Sequence, residues 1–342
     1  MGDLSRRQPA LDGLRAIAVT LVLLTHAHAP GAGQFGAVGV TMFFTLSGFL
    51  ITRLLLEEHA AASRLNIRGF YVRRTRRLVP ALLITVALAL TVEWLTIGRI
   101  ADWSLYAGAL TYTANYAMID GAWPTTTPLT HTWSLGVEEQ FYLLWPLLLI
   151  GLLRVPLRWR MLLIGYGVAA SVLIKTLTDS PVPLDHSYLG LDARADQLLL
   201  GAALAFVGHW RRAPRPAWAA VLLAAIICAA MSGGHALAPT VVAALMMPLL
   251  YVATRTQVAW LEAAPLVWVG RRSYGIYLYH LPVQFAILAL WPGGSWWASG
   301  GGMVGVTVML ATLSWRYVER PFMRLSLRDQ SGVHPKRGVA VR

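Results

Sequence analysis

Between Leu11 and Trp315 one apolar run follows another, most of them long enough to cross roughly 30 Å of hydrocarbon as a helix. No soluble core hides so many such runs, and a lipid bilayer leaves only helices or a closed barrel for segments of this length. The runs predict spans near residues 10–28, 37–56, 79–97, 137–153, 161–177, 196–209, 217–231, 239–253, 273–291 and 301–318. The expected fold class is therefore all-α, a polytopic membrane bundle of about ten transmembrane helices. Composition agrees: 13% of the 342 residues are charged and 56% hydrophobic, whereas a soluble domain carries about 25% charge. The first run contains Arg15 and His26 and leads straight into the next, so it reads as a retained span and not as a cleaved signal peptide. Residues 1–325 are expected to form one membrane-embedded unit, and 326–342 a basic, disordered cytoplasmic tail.

Charge placement orients the bundle. With the N-terminus in the cytoplasm, all but Arg99, Lys175 and Arg194 of the 29 lysines and arginines fall on the inner side. Both termini are then expected to be cytoplasmic. The net charge of +13 sits in short loops, where it meets anionic lipid, and no nucleic-acid module accompanies it. Cys228 is the only cysteine, and the nine histidines include no His-x-x-x-His pair, so neither a disulfide framework nor a metal site is expected. There is no internal repeat, which gives no support to the repeat architecture of secondary transporters.

Two stretches read as external loops. Residues 98–135 are rich in aromatics, among them Trp103, Tyr106, Tyr112, Tyr116, Trp123 and Trp133, as an interfacial belt or a sugar-stacking platform requires. Residues 293–302, rich in glycine, read as a flexible connection.

Ionisable residues inside spans cost a few kcal/mol each, so each asks for a reason. Arg15 and His26 are eleven residues apart, three helical turns plus about 20°, on one face and about 16 Å from end to end. Arg15 alone would read as a snorkelling cation; the pair on one face points to function. Arg73, Arg74, Arg76 and Arg77 gather just before the third span, where they suit bidentate phosphate contacts or act as a topology signal. Ser134 is expected to N-cap the fourth span, placing Glu138 and Glu139 in its first turns at a depth like that of His26, where a carboxylate could orient an imidazole base. Arg194 and Asp196, and Tyr277 with His280 one turn on, read more simply as buried networks.

These residues fall in an ordered series of motifs that resembles the acyltransferase 3 family of bacterial membrane O-acyltransferases, from about Pro9 to Met323. The motifs are Arg15 with His26; Phe43 to Ile51; Arg73-Arg74 with Arg77 and Pro80; Trp133 to Tyr142; Ser273 to Pro282; and Tyr317 to Pro321. The resemblance implies a multi-pass enzyme of the bacterial cytoplasmic membrane. It would move an acetyl or other short acyl group from acyl-CoA, with acetyl-CoA the expected donor, to a carbohydrate or glycoconjugate hydroxyl. It implies His26, Glu138 and His131 as catalytic, Arg15, Arg73, Arg74 and Arg77 as holding the donor's phosphates, and Trp133, Ser134, Tyr142, Tyr277 and His280 as lining the acceptor site, with no metal. Many relatives carry a further extracytoplasmic hydrolase-like domain. This chain stops soon after its last span, so direct use of the acceptor or transfer to a separate extracytoplasmic partner is expected. The alternative from another class is a transporter or flippase for a lipid-linked sugar or acyl donor.

Overall fold

The computed structural model describes residues 8–100, 102–120, 127–180, 185–207, 214–231 and 237–323. The expected tail and Trp123 lie outside them. Among the described residues every regular element is helical: α1 (Pro9–His26), α2 (Phe35–Ala62), α3 (Ile67–Ile97), α4 (Trp103–Thr111), α5 (Ala114–Ile119), α6 (Thr132–Leu153), α7 (Leu157–Thr178), α8 (His186–Leu189), α9 (Leu191–Val207), α10 (Trp218–Met231), α11 (Ala238–Arg255), α12 (Ala264–Leu290) and α13 (Trp296–Ser314), which runs on into a π turn (Trp315–Glu319).

Each of the ten predicted segments falls on a helix. Seven are long and apolar enough to span a membrane: α1, α2, α3, α6, α7, α11, and α13 continued through the π turn. The other three are α9 with 17 residues, α10 with 14 and α12 with 27. At 1.5 Å per residue the described part of α10 covers about 21 Å. In α12 length is ample; Arg271, Arg272 and His280 dilute its apolarity.

Helix ends differ from the apolar limits wherever a polar turn continues the backbone ladder. Helix α3 starts twelve residues before its apolar run, where the Asn66 side chain accepts from the Gly69 amide at 2.8 Å. The arginine cluster is thus helical, not a loop. Helix α6 starts at Thr132, ahead of the expected cap, so Ser134 is interior. The expected flexible loop 293–302 is largely the start of α13, and the long connection 98–135 folds into α4 and α5. Of its aromatics Trp103 is exposed, while Tyr106 and Trp133 are buried.

Small residues set which helices touch. A Cβ at Gly270 of α12 would overlap the Asp12 carbonyl of α1, and one at Gly48 of α2 would overlap the Leu198 carbonyl of α9. These close approaches let dispersion and backbone packing hold helices in a medium that offers no hydrophobic drive between them. They seat α1 against α12 and so bring two histidines more than 250 residues apart into contact.

Helices α7, α9 and α11 are tied by a polar knot. Lys175 Nζ donates to Asp196 Oδ2 at 2.7 Å and to Thr240 Oγ1 at 2.8 Å, and Thr240 donates to the same carboxylate at 2.5 Å. Ser171 Oγ accepts from the Asp196 amide at 3.0 Å. Both charged side chains are buried, at 1% and 0% exposure. This confirms the buried network expected for Asp196.

Candidate active site

At one end of the bundle three imidazoles meet. His26 ends α1, where the turn that follows is fixed by Thr25, whose hydroxyl donates to the Ala32 carbonyl at 2.6 Å and accepts from the Gly36 amide at 2.7 Å. The His26 ring packs edge-on against His280 at 4.6 Å between centroids, and His280 packs against His131 at 5.1 Å. His26 Nδ1 donates to the Val22 carbonyl at 2.9 Å. That bond fixes the tautomer and leaves Nε2 with its lone pair, able to take a proton. His280 Nδ1 likewise donates to the Tyr277 carbonyl at 2.5 Å, and its buried Nε2 has no hydrogen-bond partner among the described residues. The His131 ring lies against the Leu278 carbonyl of α12. His131 and His280 are buried, whereas His26 is partly accessible. Unsatisfied buried donors and acceptors are rare and costly in folded proteins, which makes the His280 Nε2 a candidate contact for a ligand.

Around it, the Ser134 and Tyr277 hydroxyls bond each other at 2.6 Å, and Tyr277 donates to the His131 carbonyl at 3.1 Å. Gln284, one turn beyond His280, donates to the His26 carbonyl at 2.5 Å. Trp133 is buried against Tyr188 of α8, 5.0 Å between rings, and Phe44 of α2 at 6.1 Å. Arg194 stacks over the same Tyr188 ring at 4.3 Å and donates to its carbonyl at 2.7 Å.

The other end is guanidinium. Arg74 makes a two-nitrogen contact with the Glu139 carboxylate at 2.8 and 2.9 Å, its carbon 3.2 Å from the centre of the Tyr142 ring. Arg15 lies 3.8 Å from Asp12. Arg77 is exposed, within electrostatic reach of Arg15, Arg74 and Glu319, and makes no ion pair among the described residues. Arg15, Arg74 and Arg77 thus place three guanidiniums close together. Arg73 instead turns toward Glu58 of α2 at 3.3 Å.

Glu138 does not stand where its expected N-terminal position would put it. Because α6 begins at Thr132, Glu138 lies about 10 Å along the helix from His131. Its carboxylate accepts from Ser47 at 2.5 Å and faces Arg74, Arg15 and Arg77. The expected carboxylate–imidazole pair is not formed among the described residues; the Val22 carbonyl and the His280 ring hold His26 instead. Tyr142 likewise belongs to the arginine end. His26, His131, His280, Ser134, Tyr277 and Trp133 are brought together, and Arg15, Arg74 and Arg77 with Glu138 and Tyr142 form the second group. Sequence reasoning missed Ser47 and Gln284. Gln284 carried a signal, being four residues from His280 on one helical face; Ser47 carried one too, as a polar residue within the Phe43 to Ile51 motif. No group of three or more acidic, histidine or cysteine side chains suited to a metal occurs among the described residues.

The chain is similar to known proteins over most of its length. The family described as an acyltransferase domain matches residues 8–316. The chain is 31% identical to the peptidoglycan O-acetyltransferase OatA of Listeria monocytogenes, over 92% of this chain and 56% of that protein. It is 31% identical to the putative peptidoglycan O-acetyltransferase YrhL of Bacillus subtilis, over 94% and 56%, and 29% identical to a putative O-acetyltransferase of Staphylococcus aureus, over 94% and 58%. The chain thus spans a little over half the length of these relatives. No solved structure matches it. A bundle with one polar cluster of imidazoles and another of arginines, matched by the family over nearly its whole length, is a member of the acyltransferase 3 family.

Proposed function

We propose that the protein transfers an acetyl or other short acyl group from acyl-CoA to a carbohydrate hydroxyl, with peptidoglycan-type glycan the first acceptor class to test. The observation that carries the reading is the layout of α1. An accessible imidazole stands at one end, its Nε2 without a hydrogen bond among the described residues, and Arg77, which makes no ion pair among them, stands beside Arg15 at the other, about 16 Å away. That separation suits a donor with phosphates at one end and a thioester at the end of a long arm.

In this reading the donor's phosphates rest on Arg15 and Arg77, with Arg74 held in place by Glu139. The thioester lies beside His26. The acceptor hydroxyl gives its proton to His26 Nε2 as its oxygen attacks the thioester carbonyl; the carbon–sulfur bond then breaks, and the thiolate leaves with the proton from the imidazolium. Ring orientation comes from the Val22 carbonyl, which accepts a hydrogen bond from Nδ1–H and stabilises the charged ring. Ser134, Tyr277, His131 and His280 supply hydrogen-bonding groups for the acceptor or the developing oxyanion. Glu138 balances the arginine charge. Transfer to a separate extracytoplasmic transferase is the variant of this scheme in which another protein completes the acylation.

The test is incubation of the purified protein with acetyl-labelled acetyl-CoA and glycan fragments. The expected result is free thiol together with alkali-labile label on the glycan. Movement of intact donor or sugar across a vesicle membrane with no ester formed would replace the enzyme reading with the transporter one.

A further inference from the structure

Beyond the arginine cluster lies a cleft of about 580 Å³ between the start of α12 and the π turn, lined by Glu262, Trp268, Arg271, Arg272, Trp315 and Arg320. None of these residues is in the set described above. Its chemistry is specific: three guanidiniums and two indoles around one open volume. Trp268 already carries Arg272 on one face, 4.0 Å from the ring centre, and is 39% exposed. Arg272 donates through Nη1 to the Trp268 carbonyl at 2.9 Å, while its buried Nε has no partner among the described residues. Arg320 is exposed and makes no ion pair among the described residues.

Two carboxylates join this cleft to the arginines of the site. Asp12 lies 3.8 Å from Arg15 on one side and 3.5 Å from Arg271 on the other. Glu319 lies within electrostatic reach of both Arg77 and Arg272. Glu319, at the end of the π turn, is buried and accepts from Ser314 at 3.2 Å. The cleft is therefore the outward continuation of the phosphate-binding surface. Arg272 is eight residues, about 12 Å, from His280, which contacts His26.

We infer that this cleft binds the nucleotide end of the donor, its indoles receiving the planar base and Arg272 and Arg320 the 3′-phosphate, while Arg15 and Arg77 take the diphosphate. The inference rests on the acyl-CoA reading of the site and extends it to residues with no other assigned role. Planar guanidiniums beside aromatic rings are the groups that recognise a phosphorylated base on both counts. A lipid headgroup offers phosphate as well, but it has no planar base for the indoles.

The two sources separate in a binding measurement on the full chain in phosphatidylcholine nanodiscs, with coenzyme A and 3′-dephospho-coenzyme A as probes. The wild type should bind coenzyme A about tenfold or more tightly than the dephospho form, as loss of a charged hydrogen-bonded contact implies. Arg272→Ala and, independently, the surface change Arg320→Glu should erase that preference and leave binding of the dephospho form near the wild-type level. A preference retained in both variants overturns the inference, since the nucleotide then sits elsewhere. It is equally overturned if the two variants alter only retention of anionic lipid added to the discs. Failure of the wild type to bind either probe overturns the donor reading beneath it.

Discussion

Two polar clusters lie inside the same apolar bundle, and they are built oppositely. The Lys175–Asp196 knot is closed: the ammonium and the carboxylate meet at 2.7 Å, and Thr240 and Ser171 complete them. The imidazole cluster is open at the His280 Nε2, which has no hydrogen-bond partner among the described residues. A saturated network holds helices together; an unsaturated one, next to an accessible ring, leaves hydrogen-bonding capacity for a ligand. The same contrast separates Arg73, engaged by Glu58, from Arg77, which makes no ion pair among the described residues.

That contrast breaks most visibly at His26. His26→Ala should lower acyl transfer by about 10² to 10⁴-fold while thermal unfolding of the purified protein stays near that of the wild type; a large drop in melting temperature would make the imidazole a structural group like Asp196. Asp196→Ala should do the reverse. Breaking a buried pair costs about 3–5 kcal/mol, so expression and melting temperature should fall together, and the paired change Lys175→Met with Asp196→Leu should recover most of that loss. Arg77→Ala should raise the donor KM about tenfold with little change in stability, as removal of one charged hydrogen-bonded contact implies. Arg73→Ala should change it less than about threefold, because its charge is already matched at a half-exposed site; equal effects of the two would erase the distinction between engaged and free arginines. Ser134→Ala should cost about 1 kcal/mol of stability through the lost Tyr277 bond, measured by denaturant or thermal unfolding.

What the sequence reveals follows the physics of each feature. Apolar runs mark where chain meets hydrocarbon, so all ten predicted segments land on helices. They do not mark where a helix stops, because Asn66 or a polar turn can continue the ladder into the interface; hence α3 and α12 begin well before their apolar runs. The alignment of Arg15 with His26 needs only one continuous helix and was readable. The position of Glu138 needed the true start of α6, at Thr132 and not just after Ser134, which sets Glu138 below the first turn and decides which end of the site it serves. Contact of His26 with His280 depends on α1 lying against α12, set by Gly270 beside the Asp12 carbonyl, a pairing that no local pattern announces. The arginine cluster was legible as charge, but the division of labour among Arg73, Arg74 and Arg77 depends on Glu58 and Glu139, which come from two other helices.

The central claim is that one donor bridges the two ends of α1. It is tested most directly by a structure of the protein with a non-hydrolysable acetyl-CoA analogue bound. The predicted result places the carbonyl carbon that mimics the thioester within about 3–4 Å of a hydroxyl or water held by His26 Nε2, with the diphosphate on Arg15 and Arg77. Density for the analogue with its acyl end remote from His26, or its phosphates on a surface that includes neither arginine, would contradict it.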